Sequence, residues 1–439
     1  MKKVILTAAL TTLLSIVSQG AEDLSHIFIT GSTNKPALSY KAGEEMIYTF
    51  KAEMGKTSPK GYFLSYERKG DDGVTFKGKV PASEVLTVKT SLDRKGFVSV
   101  NVFLVDEKGK VVTRGNKVRK PYHRIGYYAG TAVEPEKLTD CGEPADFDEF
   151  WAKQKKRLAE VPFVGKVEEK LLSSTKKGDI YAVSIPCAGP RPATGYLTIP
   201  RNAKAKSLPA QILFSGYGAR PAVPPKRIDK KMIVLYLNAH GQYLLDAERN
   251  KEHLKSIRSN GKNYGFDPIQ NQDPETAFFN GMTLRIMRAL EYLKTRPEYD
   301  GKRLYAAGGS QGGLQTMWAA ALDPDVVWAR PGITWCCDLA GTVKKNRLHG
   351  KWRIEYVPAL DYYDPVFMAK RIKKARVDIV RAGMGDYICP PSGLAISYNN
   401  LATPDKSIKW VQGSDHGYVP NGSEVIVWAT EKNKIKQNK

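Results

Sequence analysis

Gly308-Gly309-Ser310-Gln311-Gly312 restricts what this 439-residue chain can fold into more than any other stretch. A serine spaced Gly-x-Ser-x-Gly fits a sharp strand-to-helix turn that lifts its hydroxyl clear of the backbone. The glycines are required because so tight a turn leaves no room for side chains beside the serine. Residues 304–307 read as the short buried strand before it, and a helix rich in small residues is expected from Gln311 to about Ala321. Small residues let that helix start close to the sheet, with its amide dipoles aimed at negative charge developing near Ser310. The spacing alone recurs by chance; the strand before it and the Ala-rich helix after it supply the context it needs.

A serine nucleophile of this kind needs a base and an acid, which follow it in the chain in the order acid, histidine. Residues 377–382 read as a strand ending in Gly383-Met384-Gly385-Asp386, and residues 408–411 as another ending in Gly413-Ser414-Asp415-His416. His416 alone among the six histidines follows Asp386. His26 and His123 fall in or beside an N-terminal β region, and His253 and His349 fall in long connections. His416 is therefore expected to take the proton from Ser310, while Asp386 holds the imidazole and stabilises its charge. Asp415 is adjacent to His416, and a neighbouring side chain does not readily curl back to the far ring nitrogen.

Residues 1–20 have the form of a secretory signal: Lys2 and Lys3, an apolar run from Val4 to Val17, then Ser18-Gln19-Gly20 before Ala21. An apolar core of about 14 residues is too short to span a bilayer, and no other run reaches the roughly 18 that a spanning helix needs. The expectation is a secreted or periplasmic protein with no membrane partner. The formal charge of +23 places 68 basic against 45 acidic residues. The basic residues are scattered, as in Lys153-Gln154-Lys155-Lys156-Arg157, Lys226-Arg227 and Lys373-Lys374, and are not interleaved with aromatics. That pattern argues for a solvated basic surface and against a nucleic-acid site, and leaves a preference for negatively charged glycans open. Cys141, Cys187, Cys336, Cys337 and Cys389 are too widely spaced for a zinc set and leave room for at most two disulfides. No metal-binding or nucleotide-binding motif is present, so neither a metal nor a cofactor is expected.

From about Ile27 to Val112 the chain is a series of short alternating runs separated by turns such as Lys69-Gly70-Asp71-Asp72-Gly73. Val98, Val100, Val102 and Leu104 share one face of the last run, the period-two pattern of a half-buried strand. An immunoglobulin- or fibronectin-like sandwich is expected over 21–128, a connection over 129–143, and a second domain over 144–439. The sandwich shows no exposed aromatic row, which favours a packing role over glycan binding. Asp146-Phe147-Asp148-Glu149-Phe150-Trp151 opens a helix with Asp146 as N-cap, and Phe147, Phe150, Trp151 and Leu158 form its apolar face. Strands at 180–185, 193–199, 210–214 and 232–237 and a helix over 281–294 then imply a mainly parallel sheet covered on both sides.

Over residues 143–430 the chain resembles the acetyl xylan esterase and cephalosporin C deacetylase family, the seventh carbohydrate esterase family. The resemblance rests on Asp146-Phe147-Asp148-Glu149-Phe150-Trp151, Gly309-Ser310-Gln311-Gly312-Gly313 with Ala320-Ala321-Leu322-Asp323-Pro324, Asp386-Tyr387-Ile388-Cys389-Pro390-Pro391-Ser392, and His416. It implies an α/β-hydrolase fold, a serine that is acetylated and then released by water, and a ring-like homo-oligomer. By position, the backbone amides of Gln311 and Tyr217 would form the oxyanion hole. The chain departs from the family at His240, in Asn238-Ala239-His240-Gly241-Gln242, where the family has arginine. It departs also at Ser215-Gly216-Tyr217 for His-Gly-Tyr, and at His416-Gly417 for His-Glu. Neither oxyanion amide depends on a particular side chain, so the expected machinery survives these changes. The sandwich is additional to the minimal family member and bears on the implied oligomer.

The function expected is removal of acetyl groups from xylan-type or related saccharides by a serine carbohydrate esterase. A peptidase or other carboxylesterase of the same fold is the alternative enzyme, although no long apolar lid suggests a lipase. A glycan-binding protein with an inactive hydrolase domain is the alternative of another class, against which the intact Ser310, Asp386 and His416 stand.

Overall fold

The computed structural model of the protein describes residues 23–114, 124–350 and 352–431, so the signal-like segment 1–20 and His123 lie outside the described residues. Alternation builds the N-terminal part. Its strands are β1 (Phe28–Thr33), β2 (Met46–Glu53), β3 (Tyr62–Gly70), β4 (Thr75–Pro81), β5 (Leu86–Thr90), β6 (Gly96–Asp106) and β7 (Gly126–Val133). They form one sheet in the order β1-β2-β5 and another in the order β4-β3-β6-β7. Met46, Tyr48 and Phe50 of β2 and Val98, Val100 and Val102 of β6 close a shared apolar core. Two antiparallel sheets packed this way make the expected sandwich.

Strand β7 overruns the expected end of the sandwich at 128 and takes up the start of the expected connection. All eight of its residues are buried, so it lacks the alternation by which a half-buried strand is read. The cause is a second packing surface. Tyr127, Ala129 and Val133 belong to the sandwich core, whereas Ala132 joins the core of the C-terminal part.

That part is built on ten strands: β8 (Glu168–Thr175), β9 (Gly178–Ile185), β10 (Ala193–Pro200), β11 (Leu208–Phe214), β12 (Ile233–Leu237), β13 (Tyr299–Gly309), β14 (Val326–Gly332), β15 (Arg376–Gly383), β16 (Lys406–Val411) and β17 (Val425–Ala429). Their order is β17-β16-β15-β14-β13-β11-β12-β10-β9-β8. The five central pairings from β12 to β16 are parallel, and the outer pairings are antiparallel. The edge strand β8 is mostly exposed, and its first three residues, Glu168, Glu169 and Lys170, are charged, which discourages pairing with another chain there.

Around the sheet lie α1 (Phe147–Ala159), α2 (Ala247–Ser256), α3 (Phe278–Thr295), α4 (Gln311–Leu322), α5 (Leu339–Lys344), α6 (Pro365–Met368) and α7 (Pro391–Asn400). Helix α1 buries Phe147, Phe150, Trp151 and Leu158, but Asp146 at its N-cap position makes no capping bond. Its carboxylate instead accepts from the Tyr362 hydroxyl at 2.5 Å, a tertiary contact that competes with the local one. His253, expected in a connection, sits on α2. Among the described residues no helix is long and apolar enough to cross a membrane. All five cysteines are free.

The two parts are joined by more than the chain. Asp71, in the turn after β3, is buried and accepts from Phe97 N at 2.8 Å, Leu348 N at 2.6 Å and Ser392 Oγ at 3.0 Å. Burial raises its pKa despite these bonds. Phe97 of β6 packs on Trp410 of β16, ring centres 5.4 Å apart.

Candidate active site

Strand β13 lies at the centre of the parallel strands and ends in the glycines before Ser310. Ser310 has φ 60° and ψ −120°, a conformation that costs a non-glycine residue of order 1–3 kcal/mol and persists only where its surroundings hold it. They do so on both sides: Ser310 N donates to Gly332 O at 2.9 Å and Ser310 O accepts from Trp335 N at 3.2 Å. A Cβ on Gly308 would lie 2.6 Å from Gly312 O, and one on Gly312 would lie 2.6 Å from Phe214 O. Helix α4 starts at Gln311, whose amide belongs to the first turn and has no carbonyl partner within the helix.

Asp386 and His416 arrive on the loops leaving β15 and β16, at the same carboxyl edge of the sheet as Ser310, where open parallel sheets form their crevices. His416 Nε2 is 3.0 Å from Ser310 Oγ, and its Nδ1 is 3.0 Å from Asp386 Oδ2. Asp386 Oδ1 accepts from the amides of Ile388 at 2.8 Å and Cys389 at 2.9 Å, which fixes the carboxylate. With Nδ1 donating to the carboxylate, Nε2 is left as an acceptor for the serine hydroxyl. Asp415 faces elsewhere: its Oδ1 accepts from Gly417 N at 2.8 Å and Tyr418 N at 2.6 Å, and burial pushes its carboxyl pKa up. The structure thus brings Ser310, His416 and Asp386 together and leaves Asp415 shaping the loop.

Tyr217 stands in the loop after β11, and Gln311 faces it across the elbow. Tyr264, which sequence reasoning does not single out, ties the two together. Its hydroxyl accepts from Gly218 N at 3.0 Å and donates to Gln311 Oε1 at 2.7 Å. Its ring stacks on Tyr217 at 4.2 Å, and its carbonyl accepts from the Tyr217 hydroxyl at 2.7 Å. The segment with the arginine-to-histidine departure props the same loop from behind. His240 Nε2 donates to Gly218 O at 3.1 Å, and Gln242 bonds Arg220 O and Ala222 N, each at 2.8 Å. Burial lowers the His240 pKa to about 4, so the ring is neutral. Tyr264 lies in an irregular connection with no motif around it, and only its aromatic character hints at a role.

Ser310 and His416 open into a cleft of about 1300 Å³ whose walls include Tyr217, Tyr264, Trp352 and Tyr387. One set of donors has a metal-like composition: atoms of Asp386, Cys389 and His416 lie within 4.8 Å of one another. Two of these donors already bond each other, His416 Nδ1 and Asp386 Oδ2, and burial raises the Cys389 pKa well above the usual thiol value.

The family model for acetyl xylan esterase (AXE1) matches residues 137–432, beginning just past β7. The acetyl esterase Axe7A of Xylanibacter ruminicola is 28% identical over 279 residues, which cover 60% of this chain and 62% of that protein. Among solved structures, the acetyl xylan esterase from Paenibacillus sp. R4 superposes with a TM-score of 0.55 at 24% identity over 65% of this chain and 94% of its own. Acetyl xylan esterase 1 from Thermoanaerobacterium sp. JW/SL YS485 gives a TM-score of 0.54 at 22% identity, over 66% and 94%. At these identities the structural likeness speaks for the α/β-hydrolase fold alone. The family match covers most of the chain and contains every side chain of the hydrogen-bonded Ser310–His416–Asp386 series, and the chain belongs to the acetyl xylan esterase family of carboxylic ester hydrolases.

Proposed function

We propose that the protein removes O-acetyl groups from xylan-type or related oligo- and polysaccharides through an acetyl-serine intermediate. The observation that carries this reading is the continuous hydrogen-bond series Ser310–His416–Asp386 at the mouth of an open, aromatic-walled cleft. The names of the relatives, an acetyl esterase and two acetyl xylan esterases, support the acetyl group and the saccharide.

His416 Nε2 takes the hydroxyl proton as Ser310 Oγ bonds to the acetyl carbonyl carbon. The oxygen that becomes negative is met by the backbone amides of Tyr217 and Gln311. The protonated ring then gives its proton to the departing sugar oxygen, leaving acetyl on Ser310. A water deprotonated by His416 bonds to the acyl carbon, the ring returns that proton to Ser310 Oγ as the Ser310–acyl bond breaks, and the acetic acid released ionises to acetate. Asp386 holds the ring through both halves and stabilises its charge. In this reading 144–439 carries the chemistry, the sandwich extends through β7, and 1–20 directs export.

The test is acetate release from acetylated xylo-oligosaccharides by the protein and by Ser310→Ala, together with labelling by a fluorophosphonate. Loss of activity with an unchanged circular dichroism spectrum, and a label on Ser310 only, are expected. Acetate release by Ser310→Ala at the unaltered rate would overturn the assignment.

A further inference from the structure

The cleft beside Ser310 is strongly one-sided in charge. Arg220, Lys251, Lys255 and Arg258 line it, and among the described residues no aspartate or glutamate does. The chain as a whole carries 45 acidic against 68 basic residues, a ratio at which four bases would come with about two to three acids. The cleft is therefore more basic than the chain as a whole.

The arrangement has a local cause. Lys251 and Lys255 stand four residues apart on α2 and Arg258 follows just past its end, so the three project along one side at helical spacing, next to Leu254 of the same wall. Lys251 and Lys255 pair with Glu248 at 3.8 Å and Glu252 at 2.8 Å, but both glutamates are exposed and neither lines the cleft. Exposed pairs of this kind are worth about 0–1 kcal/mol and exchange readily for another anion. Arg220 and Arg258 stand in no ion pair among the described residues. Trp352 and Tyr387 add aromatic surface to the same cleft, of the kind on which sugar rings pack.

We infer that the cleft takes acetylated saccharides that also carry negative charge, a uronate carboxylate or a sulfate ester on the same chain as the acetyl group. The inference rests on the ester-hydrolase reading and narrows its substrate. Guanidinium groups engage both anions through paired N–H bonds, and a cleft of one sign raises the local concentration of an oppositely charged ligand. With the acetyl group at Ser310, the anion would sit on a neighbouring sugar and meet Arg258 or Arg220.

Binding to Ser310→Ala separates this inference from catalysis. Calorimetric titration would use an acetylated glucuronoxylan oligosaccharide against the same oligosaccharide with its uronate reduced to the neutral sugar. A second pair would be a sulfated acetylated oligosaccharide and its desulfated form. The acidic member of at least one pair should bind about tenfold more tightly at low salt, and which pair shows the gap tells carboxylate from sulfate. The gap should shrink at roughly 0.5 M salt, where screening is strong. The double variant Arg220→Gln, Arg258→Gln should bring affinity for the acidic member close to that for the neutral one. Equal binding within both pairs, or a gap that persists in the double variant, overturns the inference. Hydrolysis of 4-nitrophenyl acetate by the unaltered enzyme reports on the ester-hydrolase reading separately: activity there without a charge preference sinks only the present inference, and no activity there sinks the reading beneath it.

Discussion

Gln412 grips Gly130 with both ends of its amide. Its Oε1 accepts from Gly130 N at 2.8 Å and its Nε2 donates to Gly130 O at 2.7 Å, in a buried setting. Gly130 belongs to the sandwich strand β7, and Gln412 opens the loop that ends in His416. The same strand reaches the acid loop: a Cβ on Gly130 would lie 2.3 Å from Met384 O, and one on Gly385 would lie 2.6 Å from Tyr128. Tyr128 also stacks on Tyr387 at 6.5 Å, and its backbone N donates to Gly413 O at 3.3 Å. The sandwich thus braces both loops that present Asp386 and His416.

Gln412→Ala should leave two buried backbone groups without partners, at about 1–3 kcal/mol each. The expected outcome is a lower melting temperature with kcat reduced more than KM, because the histidine loop loses its support while the cleft walls stay. Gly130→Ala should be worse, since its methyl group would strike the acid loop. Steady-state kinetics beside thermal melts check this; wild-type kcat in a destabilised Gln412→Ala protein would show that the brace serves stability alone.

Asp386→Asn and Asp415→Asn should separate the two neighbouring acids. The first removes the acceptor that sets the His416 tautomer and should lower kcat by about 10⁴ with little change in fold. The second weakens loop bonds to Gly417 and Tyr418 and should appear mainly as lost stability, with kcat reduced far less. The opposite ranking in kcat would exchange their roles.

His240 supplies a pH signature. Its pKa falls from 6.5 in the unfolded chain to about 4 in the folded protein, through burial. Between those values the unfolded state holds the extra proton, so the contribution is full above 6.5 and is lost as pH falls toward 4. The window corresponds to on the order of 3 kcal/mol. His240→Gln should flatten the acid side of the stability profile measured by urea unfolding. An acid slope as steep as that of the unaltered protein would mean that other groups set it.

Gly312→Ala tests the elbow by sterics alone, since the added methyl would sit 2.6 Å from Phe214 O. That carbonyl is part of β11, which cannot yield without disturbing the sheet. Low soluble yield or a loss of several kcal/mol in stability is expected; a well-folded, fully active variant would count against so tight an elbow.

What could be read without coordinates followed local rules. The strand before Ser310 and the loops ending in Asp386 and His416 are legible because each strand is a short apolar run closed by glycines. The α1 face is legible because Phe147, Phe150, Trp151 and Leu158 recur at helical spacing. Strand β7 is hidden because packing on two cores removes its alternation, and α2 is hidden because half of its residues are charged and it buries only Asn250 and Leu254. Tyr264 and Gln412 act through contacts 47 and 282 residues away in the chain, and no spacing rule announces such partners.

The five free cysteines have a practical meaning for handling the protein. A disulfide would restrict the unfolded ensemble and make the melting temperature depend on the redox buffer. With the cysteines free, stability rests on non-covalent contacts, so a thiol reductant should leave the melting curve where it is. A host lacking an oxidising compartment should yield the same folded protein, with no shuffled isomers to separate.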